Sequence, residues 1–183
     1  MSATLKPKVL FIGFGHLAKS LLSKKLLNSV NIHALNSKGV IKNINLKKKI
    51  LNFNNDYNYI FFLIRPKTFL ISGNQFQKYL SKETLVISCM AGIKLSTIEK
   101  TLKSKKIVRI MPNVMALNNK SQTHIYMKNK NLFDSKLKKI LSTFGTIINV
   151  RNEDQINFAT SVFGSGPASV SYTHLTLPTR YRV

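Results

Sequence analysis

The sequence predicts an α/β protein: a Rossmann-type, doubly wound, mostly parallel sheet, followed by the start of a helical domain. Three observations carry this. Short continuous apolar runs, Lys8–Ile12 and Tyr59–Ile64 among them, have the pattern of strands buried on both faces. Segments of helical spacing alternate with these runs through most of the chain, as parallel sheets require. The first run also ends in a glycine turn that leads directly into a helical segment.

The elements follow in order. Lys8–Ile12 is the first strand. After it, Leu17, Ala18, Leu21, Leu22 and Leu26 fall on one face of a helical segment. Val30–Leu35 reads as a second strand. Residues 37–58 are polar and hard to assign, with a helix suggested near Leu46–Phe53. Tyr59–Ile64 is a buried strand stopped by Arg65-Pro66, and Thr68–Leu80 forms a helix with Gly73 as its weak point. Thr84–Cys89 is a strand, Ser96–Leu102 a helix, and Lys106–Met111 a strand that ends at Pro112. Gln122–Met127 alternates as a further strand. Leu132–Phe144 has helical spacing and stops at Gly145. Thr146–Val150 is the last strand, and Asn152–Val162 is a helix capped by Asn152. Residues 1–150 are thus expected to form a dinucleotide-binding domain. A boundary is expected near Arg151–Asp154, where the last strand gives way to helix, so residues 151–170 would start a second unit.

Composition narrows the function. The chain has 183 residues, of which 44% are hydrophobic, enough for a packed core. Its longest apolar run, Tyr59–Ile64, is far too short for a transmembrane helix, and Met1–Lys6 has no signal-peptide character. The lone Cys89 excludes an internal disulfide and a cysteine metal cluster, and a cytoplasmic location is expected. The net charge of +23 raises the question of nucleic acid. Lysines outnumber arginines 24 to 5, however, and apart from Lys47–Lys49 they are scattered along a chain also rich in asparagine. That bias reads as base composition, so no nucleic acid, membrane or metal is expected as a partner.

The glycine turn points to a nucleotide. In Gly13-Phe14-Gly15-His16-Leu17-Ala18, Gly13 permits the tight turn and Gly15 admits the pyrophosphate. Ala18 lets the helix pack closely on the strand, while the helix start supplies amide donors. Ile12, Phe14, His16 and Leu17 flank the same turn. At the end of the second strand, Leu35 is followed by Asn36-Ser37-Lys38, with no acid to hold a ribose 2′-hydroxyl. These three residues suit a 2′-phosphate, so NADP is favoured, with NAD as the alternative. Leu63, Ile64, Arg65 and Pro66 end the next strand at the carboxyl edge. Ala91 follows the strand after it, and Asn113 the next; all six are candidate cofactor contacts. Cys89 reads as a small buried hydrophobe and not as a nucleophile.

Taken together, Val9–Ala18, Phe62–Pro66, Ile87–Ile93, Val108–Asn113 and Phe163–Ala168 resemble the pyrroline-5-carboxylate reductase family. The resemblance implies an oxidoreductase that reduces the cyclic imine 1-pyrroline-5-carboxylate to L-proline with NAD(P)H, in proline biosynthesis. It departs from the family at Val114-Met115, where Thr-Pro is usual, and at Arg65, where lysine is usual. The family also continues with a helical domain that holds a substrate-binding Gly-Gly-Thr segment and the dimer interface. The chain is therefore expected to be an amino-terminal portion, inactive alone, without catalytic residues of its own, and homo-oligomeric only with that domain. Residues 171–183 hold no lysine, carry Pro178, and have Thr173, Thr176 and Thr179 where an amphipathic helix is implied. They are expected to be a non-native tail. Another Rossmann-domain dehydrogenase and a non-catalytic nucleotide sensor are the alternative readings.

Overall fold

A computed structural model describes residues 6–50 and 56–159. Among the described residues nine strands form one sheet in the order β4-β3-β2-β1-β5-β6-β7-β8-β9. They are β1 (Lys8–Ile12), β2 (Asn31–Leu35), β3 (Ile41–Asn43), β4 (Lys48–Ile50), β5 (Tyr59–Phe62), β6 (Leu85–Ser88), β7 (Ile107–Met111), β8 (Ser121–Tyr126) and β9 (Gly145–Asn149). The five central strands, β2-β1-β5-β6-β7, are parallel. β3 runs antiparallel to both β2 and β4, and β8 antiparallel to β7, while β9 runs parallel to β8. The predicted fold class is what the chain adopts.

The helices are α1 (His16–Ser20), α2 (Lys24–Ser29), α3 (Pro66–Ser72), α4 (Leu95–Leu102), α5 (Ser135–Leu141) and α6 (Asp154–Ala159). Alternate residues of β1 feed two cores. Val9 and Phe11 pack with Ala18, Leu21, Leu26, Leu137 and Phe144 on one face. Leu10 and Ile12 pack with Phe62, Phe69, Phe76, Leu95 and Ile98 on the other. Burial on both faces is why the strand runs are continuously apolar. Edge-on aromatic pairs reinforce each core, Phe62–Phe69 at 5.4 Å and Phe61–Phe144 at 6.3 Å between ring centroids.

Several predicted elements are corrected. The helix suggested near Leu46–Phe53 is instead an edge hairpin, with β4 on β3, and residues 51–55 lie outside the described part. Asparagines decide this. The Asn43 Oδ1 accepts from the Leu46 amide at 2.9 Å and the Asn45 Oδ1 from the Ile32 amide at 2.7 Å, bonds that compete with helix. The lysines of the hairpin then suit an exposed sheet edge. The first helical segment is two helices, because the Ser23 Oγ accepts from the Leu26 amide and starts α2 afresh. The predicted helix Thr68–Leu80 is α3 followed by a 3-10 helix, Gly73–Tyr79. The segment Leu132–Phe144 is α only from Ser135 to Leu141, opened by the Asp134 carboxylate, which accepts from the Leu137 amide at 2.7 Å.

The last helix starts as expected. The Asn152 Oδ1 accepts from the Gln155 amide at 3.1 Å, and the Gln155 Oε1 accepts in return from the Arg151 amide at 2.8 Å. α6 packs on β7 and β8 with Ile156 buried. Its expected continuation to Val162, the Phe163–Ala168 motif and the tail from Ser171 lie outside the described residues. Among the described residues no helix is long and apolar enough to cross a membrane.

Candidate functional site

Sheet topology places the site. From β1 the chain proceeds to β2 on one side and to β5 on the other, so a crevice opens between their carboxyl ends. A cleft of about 610 Å3 lies there, a size suited to a small ligand. Three chain segments meet in it: the turn after β1, the turn after β2, and the end of β5 with the helices that follow.

The turn after β1 depends on two glycines for different reasons. Gly13 has φ +94°, and its amide donates to the Leu35 carbonyl at 3.0 Å. A Cβ there would lie 2.7 Å from the Leu63 carbonyl oxygen and 2.8 Å from the Ile64 Cγ2. Gly13 therefore lets the turn close against the end of β5. Gly15 has an ordinary extended φ of −87°, and a Cβ on it would meet nothing within 4 Å. Its missing side chain leaves open space at the start of α1, and as the N-cap it offers no side chain to the first-turn amides.

The turn after β2 is built by Asn36. Its Oδ1 accepts from the Lys38 amide at 2.9 Å and from the Val40 amide at 3.0 Å, an Asx-type turn that presents Asn36, Ser37 and Gly39 to the cleft. The opposite wall comes from Leu63, Ile64 and Arg65, from Thr68 of α3, and from Gln75, Phe76, Lys78 and Tyr79 of the 3-10 helix. Among the described lining residues the charged ones are Arg65 and Lys78, both cationic.

The sequence-chosen residues divide accordingly. Ile12, Gly13, Phe14, Gly15, Asn36, Ser37, Leu63, Ile64 and Arg65 line the cleft. His16, Leu17, Lys38, Pro66, Ala91 and Asn113 are not among its lining. His16 is exposed at the first position of α1, and Leu17 packs against the core. Lys38 is exposed in the turn, while Pro66 opens α3. Ala91 sits in the turn after β6, and the Asn113 Oδ1 accepts from the Met115 amide at 3.0 Å. Sequence reasoning missed Leu35, Gly39, Thr68 and the four residues of the 3-10 helix. Only the helical spacing after Arg65 hinted that this segment returns to the cleft.

Within β7, Arg109 is buried, with its Nη1 2.7 Å from the Glu153 Oε1. Its Nη2 donates to the Asn157 Oδ1 at 3.2 Å and to the Met90 carbonyl at 3.4 Å. The same Glu153 oxygen accepts from the Leu95 amide at 2.5 Å, at the start of α4. One ion pair thus joins β7, the turn after β6, α4 and α6. Cys89 is buried, and burial pushes its thiol well above the ordinary value.

Comparison with known proteins adds to this geometry. A pyrroline-5-carboxylate reductase of Staphylococcus aureus is 30% identical over 88% of the chain. Over most of its length the chain is similar to pyrroline-5-carboxylate reductases. The family resemblance of its motifs is thereby borne out. The chain spans about 65% of the length of the curated reductases it matches. Among solved structures, a pyrroline carboxylate reductase of Plasmodium falciparum with NADP bound superposes at a TM-score of 0.70, with 22% identity, covering 93% of this chain and 67% of that one. The reductase of Coxiella burnetii gives a TM-score of 0.68 at 24% identity, covering 90% of this chain and 66% of that one. These two share its fold. No family model matches the chain.

Proposed function

We propose that the chain forms the dinucleotide-binding part of an oxidoreductase that reduces 1-pyrroline-5-carboxylate to L-proline, with NADP preferred over NAD. The observation that carries this reading is the paired glycine turn at the switch point, in a chain similar to reductases of that name. The residues fit such a cofactor. Gly15 leaves the space that a pyrophosphate needs, and the first-turn amides of α1 are available as donors. Asn36 and Ser37 stand where the adenosine ribose would lie, and Arg65 on the facing wall offers a cation to its phosphates or a flat face to its base.

A reduced nicotinamide bound here would supply the hydride. The chain's residues hold and orient the dinucleotide. Ile12, Gly13, Phe14 and Gly15 shape the pyrophosphate turn, and Leu63 and Ile64 wall the cleft. The substrate, a cyclic imino acid, is proposed for the whole enzyme.

Calorimetric titration with NADPH and NADH tests the reading. Both should bind, NADPH more tightly. Gly15→Leu should abolish both while the protein stays folded, because its side chain enters open space that the ligand needs. Unchanged affinity in that variant removes the glycine-turn assignment.

A further inference from the structure

His33 sits buried in β2 with both ring nitrogens engaged. Its Nδ1 lies 2.9 Å from the Tyr57 Oη, with the two rings edge-on at 5.5 Å, and its Nε2 lies 3.3 Å from the Asn43 Nδ2. Asn43 decides the tautomer. Its Oδ1 accepts from the Leu46 amide at 2.9 Å, which leaves Nδ2 to face His33 and to donate to the Asn31 Oδ1 at 3.1 Å. The His33 Nε2 therefore accepts, and its Nδ1–H donates to Tyr57. A second proton, on Nε2, would set two donors against each other. Turning the Asn43 amide over gives no relief, because its Nδ2 would then meet the Leu46 amide. The ionisable groups around His33 are Lys8 of β1, Asp56 and Tyr57 ahead of β5, and Tyr79 of the 3-10 helix beyond Tyr57. Lys48 of β4 pairs with Asn43 and shares its face of the sheet. Asp56, the acid of this set, lies 2.6 Å from the Lys8 Nζ. Residues 51–55 carry no ionisable side chain.

The same hairpin carries the turn that lines the cleft. His33 pairs with Asn43, Ala34 with Lys42 and Leu35 with Ile41, and the next step along the ladder is the Asn36–Val40 turn. There the Asn36 amide donates to the Val40 carbonyl at 3.1 Å, and the Val40 amide to the Asn36 Oδ1 at 3.0 Å. β3 is only three residues long, so the His33–Asn43 contact stands at one end of it and the turn at the other. We propose that His33 is a proton-operated latch for the dinucleotide. While its ring is neutral, Asn43 holds β3 on β2 and the turn keeps its shape. Proton uptake at Nε2 frees Asn43 and weakens binding at Asn36 and Ser37. This assignment rests on the cofactor reading above and goes beyond it. Burial, and then Lys8, holds the His33 pKa below the ordinary 6.5 against the opposing pull of Asp56, so the latch opens below pH 6.5.

The test uses NAD+, which lacks the 2′-phosphate, a group that itself titrates at about pH 6. Calorimetric titration of the 183-residue chain is run from about pH 8 to about pH 5, wherever circular dichroism shows the chain folded. Affinity should be level above pH 6.5 and decline below it, approaching about tenfold per pH unit once most rings are protonated. His33→Gln, whose Oε1 can accept from Asn43 without titrating, should lose that decline. Both proteins are compared in a His16→Gln background, since a cation at the glycine turn would strengthen binding as pH falls, the opposite sign. NMR titration of the His33 ring in the parent gives a readout that a merely structural histidine would not move. Saturating dinucleotide should lower the His33 pKa, because the coupling is reciprocal. Equal declines in parent and His33→Gln, or a His33 pKa unmoved by saturating dinucleotide, overturns the latch and leaves the cofactor reading standing. Binding of neither NAD+ nor NADPH at about pH 8 overturns the cofactor reading, and the latch with it.

Discussion

Two glycines two positions apart should respond to alanine in opposite ways. In Gly13→Ala the new methyl must sit 2.7 Å from the Leu63 carbonyl oxygen and 2.9 Å from its carbon, both backbone atoms that cannot swing aside. It must also adopt φ near +94°, a conformation that costs an L-residue about 1–2 kcal/mol. Overpacking against the end of β5 adds about 1–3 kcal/mol. A total near 3 kcal/mol corresponds to a fall in melting temperature of roughly 6–12 °C for a chain of this size. In Gly15→Ala the backbone is already extended and the methyl meets nothing within 4 Å. Its stability should change by less than about 0.5 kcal/mol. Its affinity for NADPH should nevertheless fall, because the methyl projects where a pyrophosphate would lie. Differential scanning calorimetry gives the first quantity and titration the second. If Gly13→Ala melts with the parent, or if Gly15→Ala loses stability and keeps its affinity, the division of labour between the two glycines is refuted.

Three further outcomes are expected. Asn36→Asp keeps an acceptor for the Lys38 and Val40 amides but adds a negative charge, so it should weaken NADPH and leave NADH less affected; an unmoved ratio in titration would place Asn36 away from the ribose. Glu153→Ala strands the buried Arg109 and removes the acceptor of the Leu95 amide, which should cost about 3 kcal/mol in urea unfolding, and a loss below about 1 kcal/mol would count against the ion pair as a structural joint. His33 is held neutral chiefly by burial and then by the nearby Lys8, so its pKa lies below the ordinary 6.5. The unfolded chain therefore takes up the proton first, and stability present above pH 6.5 should be lost as pH falls from there toward the depressed value. His33→Gln should flatten the urea midpoint over that range, and an equal slope in both proteins would show that the acid sensitivity lies elsewhere.

How much of this was legible in the sequence differs by element. β1, β5, β6 and β7 were readable because strands buried on both faces must be apolar throughout. The β3–β4 hairpin was not readable. Its residues are polar, and its pairing rests on the side-chain amides of Asn43 and Asn45, which reach partners set by the fold. The break between α1 and α2 has a local cause at Ser23, but the leucine spacing runs across it and hides it. The 3-10 segment Gly73–Tyr79 keeps the burial of Phe76 and Tyr79 that a helix would also give, so periodicity did not separate the two.

The sequence by itself determined the class of fold, the glycine turn and the family resemblance. Each depends on residues that act on near neighbours: apolar runs, turn glycines and short motifs. Only the tertiary structure decided which residues share the cleft. Lys38 is two positions from Asn36 in the chain and lies outside the lining, whereas Lys78 is distant and belongs to it. It also joined Arg109 to Glu153, 44 positions apart, through a buried pair whose partners carry no local signal. The reason is physical. Local conformation follows from backbone and side-chain sterics within a few residues. A binding wall is set by how crossovers return over the sheet, and that depends on the packing of every element at once.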